Sequence, residues 1–326
     1  MNFLIYSSLF IFSFISTYFI KNYAIKKSLV AIPNDRSSHT VPTPHGGGIA
    51  IALSWFFGLG YLYITKNIEP NLFYALSIGI VISVISYFDD LFEISPKVRL
   101  LVQSMVALGA IVALGGIEKI DLWVIVVQNQ IATGVFAFFL IIWFINLYNF
   151  LDGIDGYAGS EALFLALAGL ILYGDYHFLV LIAAVSGFLI WNWEKAKIFM
   201  GDVGSTLLGY NIAIFSLYYT NQASSNLWVW IILFGVFWFD ATLTLLRRYR
   251  NKERLSQAHR KHAYQRITQA KWSHQKTVVS AMLINIGGAI PLVWLFTSPF
   301  LPFYCIIYCI LLYIIIRLID KAKPFS

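Results

Sequence analysis

The sequence predicts an all-α, polytopic integral membrane protein of about eleven transmembrane helices, and three observations predict it. Of the 326 residues, 59% are hydrophobic and 12% charged, which is more apolar surface than a soluble domain of this size can hide. The apolar residues gather into runs of about 17–21, the length that crosses a bilayer as a helix. The basic residues fall almost wholly between alternate runs, and that asymmetry gives the chain an inside and an outside.

The runs are read at 2–20, 47–65, 72–88, 98–115, 131–150, 159–174, 178–193, 205–220, 227–246, 277–296 and 299–317. Segments that follow odd-numbered runs hold 21 of the 23 Lys and Arg, and only Lys66 and Lys119 fall on the other side. The basic side is therefore expected to be cytoplasmic, with the N-terminus outside and the C-terminus inside. The same bias accounts for the net charge of +7 without nucleic acid, and leaves anionic headgroups or an anionic substrate as partners for it. The first run lacks a basic n-region and an Ala-x-Ala site, so it reads as an anchor and not a cleaved signal. Cys305 and Cys309 are the only cysteines and stand four apart inside the last run. They read as apolar fillers. No repeat, low-complexity tract or linker marks a second domain, so 1–326 reads as one membrane-embedded unit.

The first inside segment contains Pro33, Arg36, His39, Pro42 and Gly46–Gly48. Its prolines and glycines predict a structured turn. Arg36 and His39 could hold a phosphate there, with the glycine amides opening the second run. The third run ends in Asp89-Asp90, followed by Lys97 and Arg99. Neighbouring acids repel one another unless a cation lies between them, and paired carboxylates suit Mg²⁺ with water and substrate phosphate completing its shell.

The fifth run leads into Asn-Leu-Tyr-Asn-Phe-Leu-Asp-Gly-Ile-Asp-Gly, residues 146–156. Asn149, Asp152 and Asp155 are spaced by three and would line one face if the helix continued. Gly153 and Gly156 remove bulk beside the acids and admit a phosphate or another backbone. After the seventh run, Asp202 stands between Gly201 and Gly204, held by a turn that opens the eighth. Asp240 lies about two turns before Arg247, inside the ninth run, where an acid is either functional or paired with a neighbouring helix. The longest inside loop, Arg247 to Lys276, contains His259-Arg-Lys-His262. No further ligands stand at zinc spacing, so the cluster is expected to contact phosphate.

Asp89-Asp90, Asn149-x-x-Asp152-Gly-Ile-Asp155-Gly, Phe199-Met-Gly-Asp202-x-Gly-Ser205 and a late His cluster, in this order and on one predicted side, resemble the polyprenyl-phosphate N-acetylhexosamine-1-phosphate transferases. That family also holds the phospho-N-acetylmuramoyl-pentapeptide transferases. The resemblance implies transfer of an N-acetylhexosamine 1-phosphate from a UDP-sugar to undecaprenyl phosphate, with release of UMP and a requirement for Mg²⁺ or Mn²⁺. It implies that Asp202 binds metal, that Asp89 and Asp90 position or activate the lipid phosphate, and that Asn149, Asp152, Asp155 and Asn192 line the pocket. By the same resemblance Lys97, His259 and His262 hold phosphates. Implied partners are the UDP-N-acetylhexosamine, undecaprenyl phosphate and membrane lipid, with a homodimer allowed. The peptidoglycan branch carries three successive His where this chain has His-Arg-Lys-His. That departure points toward the branch that initiates O-antigen and other surface glycans of the inner membrane.

The chemistry fits these residues on its own terms. A phosphate nucleophile is largely ionised near neutral pH, its second pKa being about 6, so the difficulty is to bring two anions together. The competing class is an ion-coupled secondary transporter, but such sites lie near the midplane on broken helices of repeated halves. Here every acid of the motifs except Asp240 falls at the cytoplasmic edge. Single cysteines at Ser95, Ser205 and Ser256, in a background lacking Cys305 and Cys309, are expected to resist an impermeant thiol reagent in intact cells. Labelling of any one from outside would overturn the eleven-span reading at that point.

Overall fold

Helix ends in this chain are set by residues that cap them. In the computed structural model, Ser95, Asn129 and Ser273 each stand just before a helix and accept backbone N–H bonds from its first turn. Pro70 and Pro96 occupy first helical positions, where no N–H is needed. The structure describes residues 3–31, 41–92, 94–122, 124–222, 227–255, 257, 259–294 and 300–325.

The chain runs α1 (Phe3–Lys26), α2 (Gly48–Ile64), α3 (Pro70–Ser77), α4 (Gly79–Phe92), α5 (Pro96–Ala113), α6 (Gln130–Phe150), α7 (Tyr157–Tyr173) and α8 (Tyr176–Asn192). It continues through α9 (Asp202–Asn221), α10 (Leu227–Leu233), α11 (Gly235–Arg250), α12 (Ala263–Gln269) and α13 (His274–Ile284). A π-helical turn (Asn285–Ala289), α14 (Ile290–Val293) and α15 (Leu301–Ala322) complete it. Two short antiparallel pairs are the described strands. Val30–Ala31 pairs with Thr43–Pro44, and Ile120–Asp121 with Val126–Val127.

All-α membrane architecture is thus what the sequence folds into. Six of the described helices are long and apolar enough to cross a membrane. A seventh span arises if α10 and α11 count as one, although they bend by 77°. Three shorter apolar helices, α2, α7 and α8, coincide with three more of the expected runs. The ninth run is therefore not one straight helix, and the loop after it folds a further helix, α12.

α9 is the centre of the bundle. Apart from its ends nearly every side chain is buried, and α2, α4 and α6 pack around it. Small residues let these helices approach without a hydrophobic drive between them. The closest approach joins the starts of α2 and α9, where a Cβ on Gly48 would lie 2.2 Å from the Gly204 nitrogen. Beside it the Gly47 and Gly48 amides donate to the Phe199 and Met200 carbonyls at 2.9 and 2.8 Å. These amides were expected to face a phosphate; two of the three instead fasten the 199–201 turn to α2.

Asp240 is accounted for by the same local chemistry. Its carboxylate accepts from the Ala263 and Tyr264 amides at 2.8 and 3.3 Å and from Thr244 Oγ1 at 3.1 Å. It caps α12 from another helix, satisfying N–H groups that a helix start leaves open. Gly48→Ala should destabilise the fold by about 1–3 kcal/mol or more, because backbone and not a flexible side chain must yield. A lowered unfolding temperature of the detergent-solubilised protein checks this, and an unchanged one would show that the two helices can slide apart.

Candidate active site

The ends of α4 and α6 and the starts of α2, α7 and α9 meet at one place. Each brings a motif read from the sequence. A cavity of about 360 Å³ lies between them, lined by Asn149, Asp152, Asp155, Asn192, Asp202, His45, Gln265 and His274 with neighbouring backbone.

Asp89 and Asp90 are adjacent on α4 and so point in different directions. Asp89 is buried. It accepts from the Ile94 amide and from Arg99 Nη1, both at 2.7 Å. Arg99 is thus the cation that answers Asp89, and it also reaches to 3.8 Å from Asp202. Asp90 turns toward the 199–202 turn, where its Oδ1 accepts from the Asp202 amide at 3.3 Å. Its Oδ2 is buried with no hydrogen-bond partner. Gly201, at φ +75°, passes so close that a Cβ there would lie 2.9 Å from that oxygen.

The helix carrying Asn149 does not continue. It stops at Phe150, so Asn149, Asp152 and Asp155 do not share a helical face. Residues 151–156 form a turn that Gly156 closes at φ +74°, its amide donating to Asn192 Oδ1 at 3.0 Å. Asn192 also donates to the Ile198 carbonyl at 3.0 Å. Both arms of this amide tie the two acidic loops together, a more structural task than the substrate contact expected of it. Asn149 Oδ1 accepts from Ser205 Oγ at 2.9 Å, and Asp155 Oδ2 accepts from the Ala196 amide at 3.1 Å. Burial, and then the charges of Asp202, Asp90 and Asp155, push the Asp152 carboxyl well above the usual carboxylate range.

Beside this cavity is a second of about 310 Å³, sharing Asp155, Phe199 and His274 and lined further by Lys195, Arg260 and Trp272. His274, the first residue of α13, places Nδ1 at 3.3 Å from Asp155 Oδ2 and 3.2 Å from its amide nitrogen. His45, Gln265 and His274 were not singled out one by one from the sequence. Each is a polar residue in a basic segment that has many, and only the packing selects among them.

The predicted phosphate ligands are redistributed. Arg36 and His39 lie outside the described residues. Lys97 is exposed on the first turn of α5, and it is Arg99 that turns to the acids. His259 and His262 line neither of these cavities. His262 is buried between Phe150 and Tyr264. Burial, then Arg248 and Arg266, lower it to about 3. Burial, His262 and Arg248 lower His259 to about 4. Burial and the neighbouring cations thus disfavour the charged form of both rings. Arg260, between them in sequence, is the residue of the cluster that reaches the cavity wall. Lys261 instead pairs with Glu253 at 3.0 Å.

Residues 72–220 match the model of glycosyl transferase family 4. A probable undecaprenyl-phosphate N-acetylglucosaminyl 1-phosphate transferase of Bacillus subtilis (strain 168) is 33% identical over 338 residues, covering 96% of this chain and 91% of its own length. The chain belongs to this family. Undecaprenyl-phosphate alpha-N-acetylglucosaminyl 1-phosphate transferases of Escherichia coli (strain K12) and Salmonella typhi are each 29% identical, covering 86% of this chain and 81% of their own. The matched family region runs from α3 to α9 and contains both acid pairs, Asn149, Asn192 and Asp202. His45, Gln265 and His274 lie outside it and reach the cavity from flanking helices and loops, and Arg260, also outside it, lines the second cavity.

The donor set suits a hard cation. No three His, Cys, Asp or Glu among the described residues converge as a closed metal cage. Mg²⁺ does not ask for one, since it takes one or two carboxylates and completes its octahedron with water and phosphate oxygens. The unpartnered Asp90 Oδ2 and the Asp202 carboxylate at the mouth of α9 meet that description. Arg99→Ala should lower activity at least tenfold by leaving Asp89 buried and unpaired, whereas Lys97→Ala should cost less. Initial rates of the two purified variants separate them, and a larger loss at Lys97 would reassign the cation.

Proposed function

We propose that the protein transfers an N-acetylhexosamine 1-phosphate, N-acetylglucosamine 1-phosphate first among the candidates, from a UDP-sugar to undecaprenyl phosphate. The reaction takes place at the cytoplasmic edge of the inner membrane and begins a lipid-linked surface glycan. One observation carries the reading: the acids of motifs dispersed over more than a hundred residues line or adjoin one cavity, at helix ends where a lipid phosphate and a water-soluble donor can meet. The relatives' names supply the chemical class, and Arg260 in place of the second of three His supports a donor other than a muramoyl pentapeptide.

In this reading an oxygen of the lipid phosphate attacks the sugar-bearing phosphorus of the donor. The new P–O bond makes the lipid pyrophosphate as the bond to UMP breaks, and UMP leaves with the bridging oxygen. In its ionised form, which a cation held by Asp90 and Asp202 would favour, Asp152 takes any proton still held by the acceptor phosphate. Asp90 and Asp202 would hold Mg²⁺, which when bound offsets the phosphate charge. Arg99 balances Asp89, while Arg260 and His274, which line the adjoining cavity, would meet the donor. The protein's remaining contribution is to hold two anions in line, which is most of the work in phosphoryl transfer.

Membranes containing the protein, given a panel of UDP-sugars and undecaprenyl phosphate, are expected to release UMP and form a lipid-linked product with a UDP-N-acetylhexosamine. Asp202→Asn should abolish both with folded protein retained, since an amide lacks the charge that the cation needs. Full activity of Asp202→Asn at limiting Mg²⁺ would remove it from the metal site. Failure of every UDP-sugar would sink the proposal itself.

A further inference from the structure

Among the described residues, one polar cluster within the apolar spans is not used by the chemistry above. Glu161 on α7 is fully buried, and its Oε2 accepts from Asn285 Nδ2 at 2.6 Å. Oε1 is buried without a partner. Tyr308 on α15 donates to Asn285 Oδ1 at 3.5 Å. A buried acid in an apolar span is costly and is retained where it does something.

Asn285 is presented by a break in its own helix. Pro291 lacks the N–H that a regular helix would give to the Gly287 carbonyl, and its ring crowds that turn. Gly287 and Gly288 make the adjustment easy, and residues 285–289 form the π-helical turn. Tyr308 fills the space created. Its ring lies 2.8 Å from where a Cβ on Gly288 would be, and 2.4 Å from one on Gly235. Gly235 starts α11 at the 77° bend. The cluster thus joins α7, α13, α15 and the bent helix at one point.

The two joined helices also bound the cavity. α7 follows directly on the Asp152–Gly156 turn, and α13 begins with His274, whose Nδ1 meets Asp155. Asn285 lies about 16 Å along α13 from His274, at 1.5 Å per residue. One contact near the cavity would leave α13 free to pivot; a second, remote contact stops it. We propose that Glu161 is a positioning residue. Through Asn285 it fixes α13 on α7 and so holds His274 against Asp155. The inference rests on the reading of this cavity as the site of transfer.

The carboxylate is needed as an acceptor, so Glu161→Gln, which keeps an oxygen for Asn285, should retain activity within about threefold. Glu161→Leu should lower kcat/KM by about ten- to a hundredfold, the range for a misplacement near 1 Å. Combining it with His274→Ala should cost at most about threefold beyond the weaker single variant, because both act on one contact. Multiplying losses would overturn the proposal. The distance is also measured directly, with spin labels at Lys195 and Gln275 in a background lacking Cys305 and Cys309. Glu161→Leu is expected to broaden or shift the distribution, and Glu161→Gln to leave it as in the parent. An unchanged distribution in Glu161→Leu overturns the proposal whatever the activity, whereas a normal rate for His274→Ala alone strikes at the role of His274 in transfer. Asn285→Leu breaks the same bond from the other side and serves in place of Glu161→Leu if that variant does not fold.

Discussion

Asp90, Asp155 and Asp202 all oppose the ionisation of Asp152 beside one cavity. A chain does not gather like charges at the edge of a bilayer without arranging for each of them. Asp89 is given an arginine and an amide, Asp155 an amide and a histidine, and Asp202 stands at a helix start where the backbone dipole favours an anion. Asp90 keeps one oxygen unanswered. An unanswered carboxylate oxygen beside other acids is a position that a bound cation would satisfy.

That arrangement sets the tolerances of everything nearby. Oxygens must lie within hydrogen-bond reach of amides on other segments, so the segments must come very close. Gly48 against Gly204, and Gly201 against Asp90, are the places where a single methyl group would separate them. The same economy appears in the turns. Asn192 binds one loop with its oxygen and the other with its nitrogen. A polar residue at a cavity wall need not touch substrate to be required for its binding.

The sequence made the architecture legible because bilayer length and charge asymmetry are one-dimensional signals. All eleven apolar runs contain helix, and acid positions placed at run ends fall together in space. What it could not show was breakage and direction. The bend between α10 and α11 and the π-helical turn at Asn285 leave hydropathy untouched, since a broken apolar helix is as apolar as a straight one. Nor could a spacing of three between Asn149, Asp152 and Asp155 reveal that the helix stops at Phe150. Of the cations, Lys97 and Arg99 stand two apart and their order carries no sign of which turns inward. A His motif in a basic loop reads as cationic, but burial beside Phe150, Tyr264 and arginines disfavours the charged form of His262.

Hydrogen bonds between helices within the spans add a further rule. Several hydroxyls merely return to their own helix, as Thr17 does to the Ser13 carbonyl and Ser83 to Gly79. Two pairs that cross to another helix lie within a turn of site residues. Ser86 meets Thr206 at 2.8 Å, four residues before Asp90 and four after Asp202. Asn146 donates to Gln103 at 2.9 Å, three residues before Asn149 and four after Arg99. One helical turn separates each pair from the site residues it serves, the spacing that places side chains on the same face. In lipid, apolar packing alone leaves helices free to slide in register, and a slip of one residue would rotate Asp90 or Asp202 by about 100°. A polar pair one turn away fixes both the rise and the rotation of the two helices, so the acids are aimed from within the membrane before any ligand arrives.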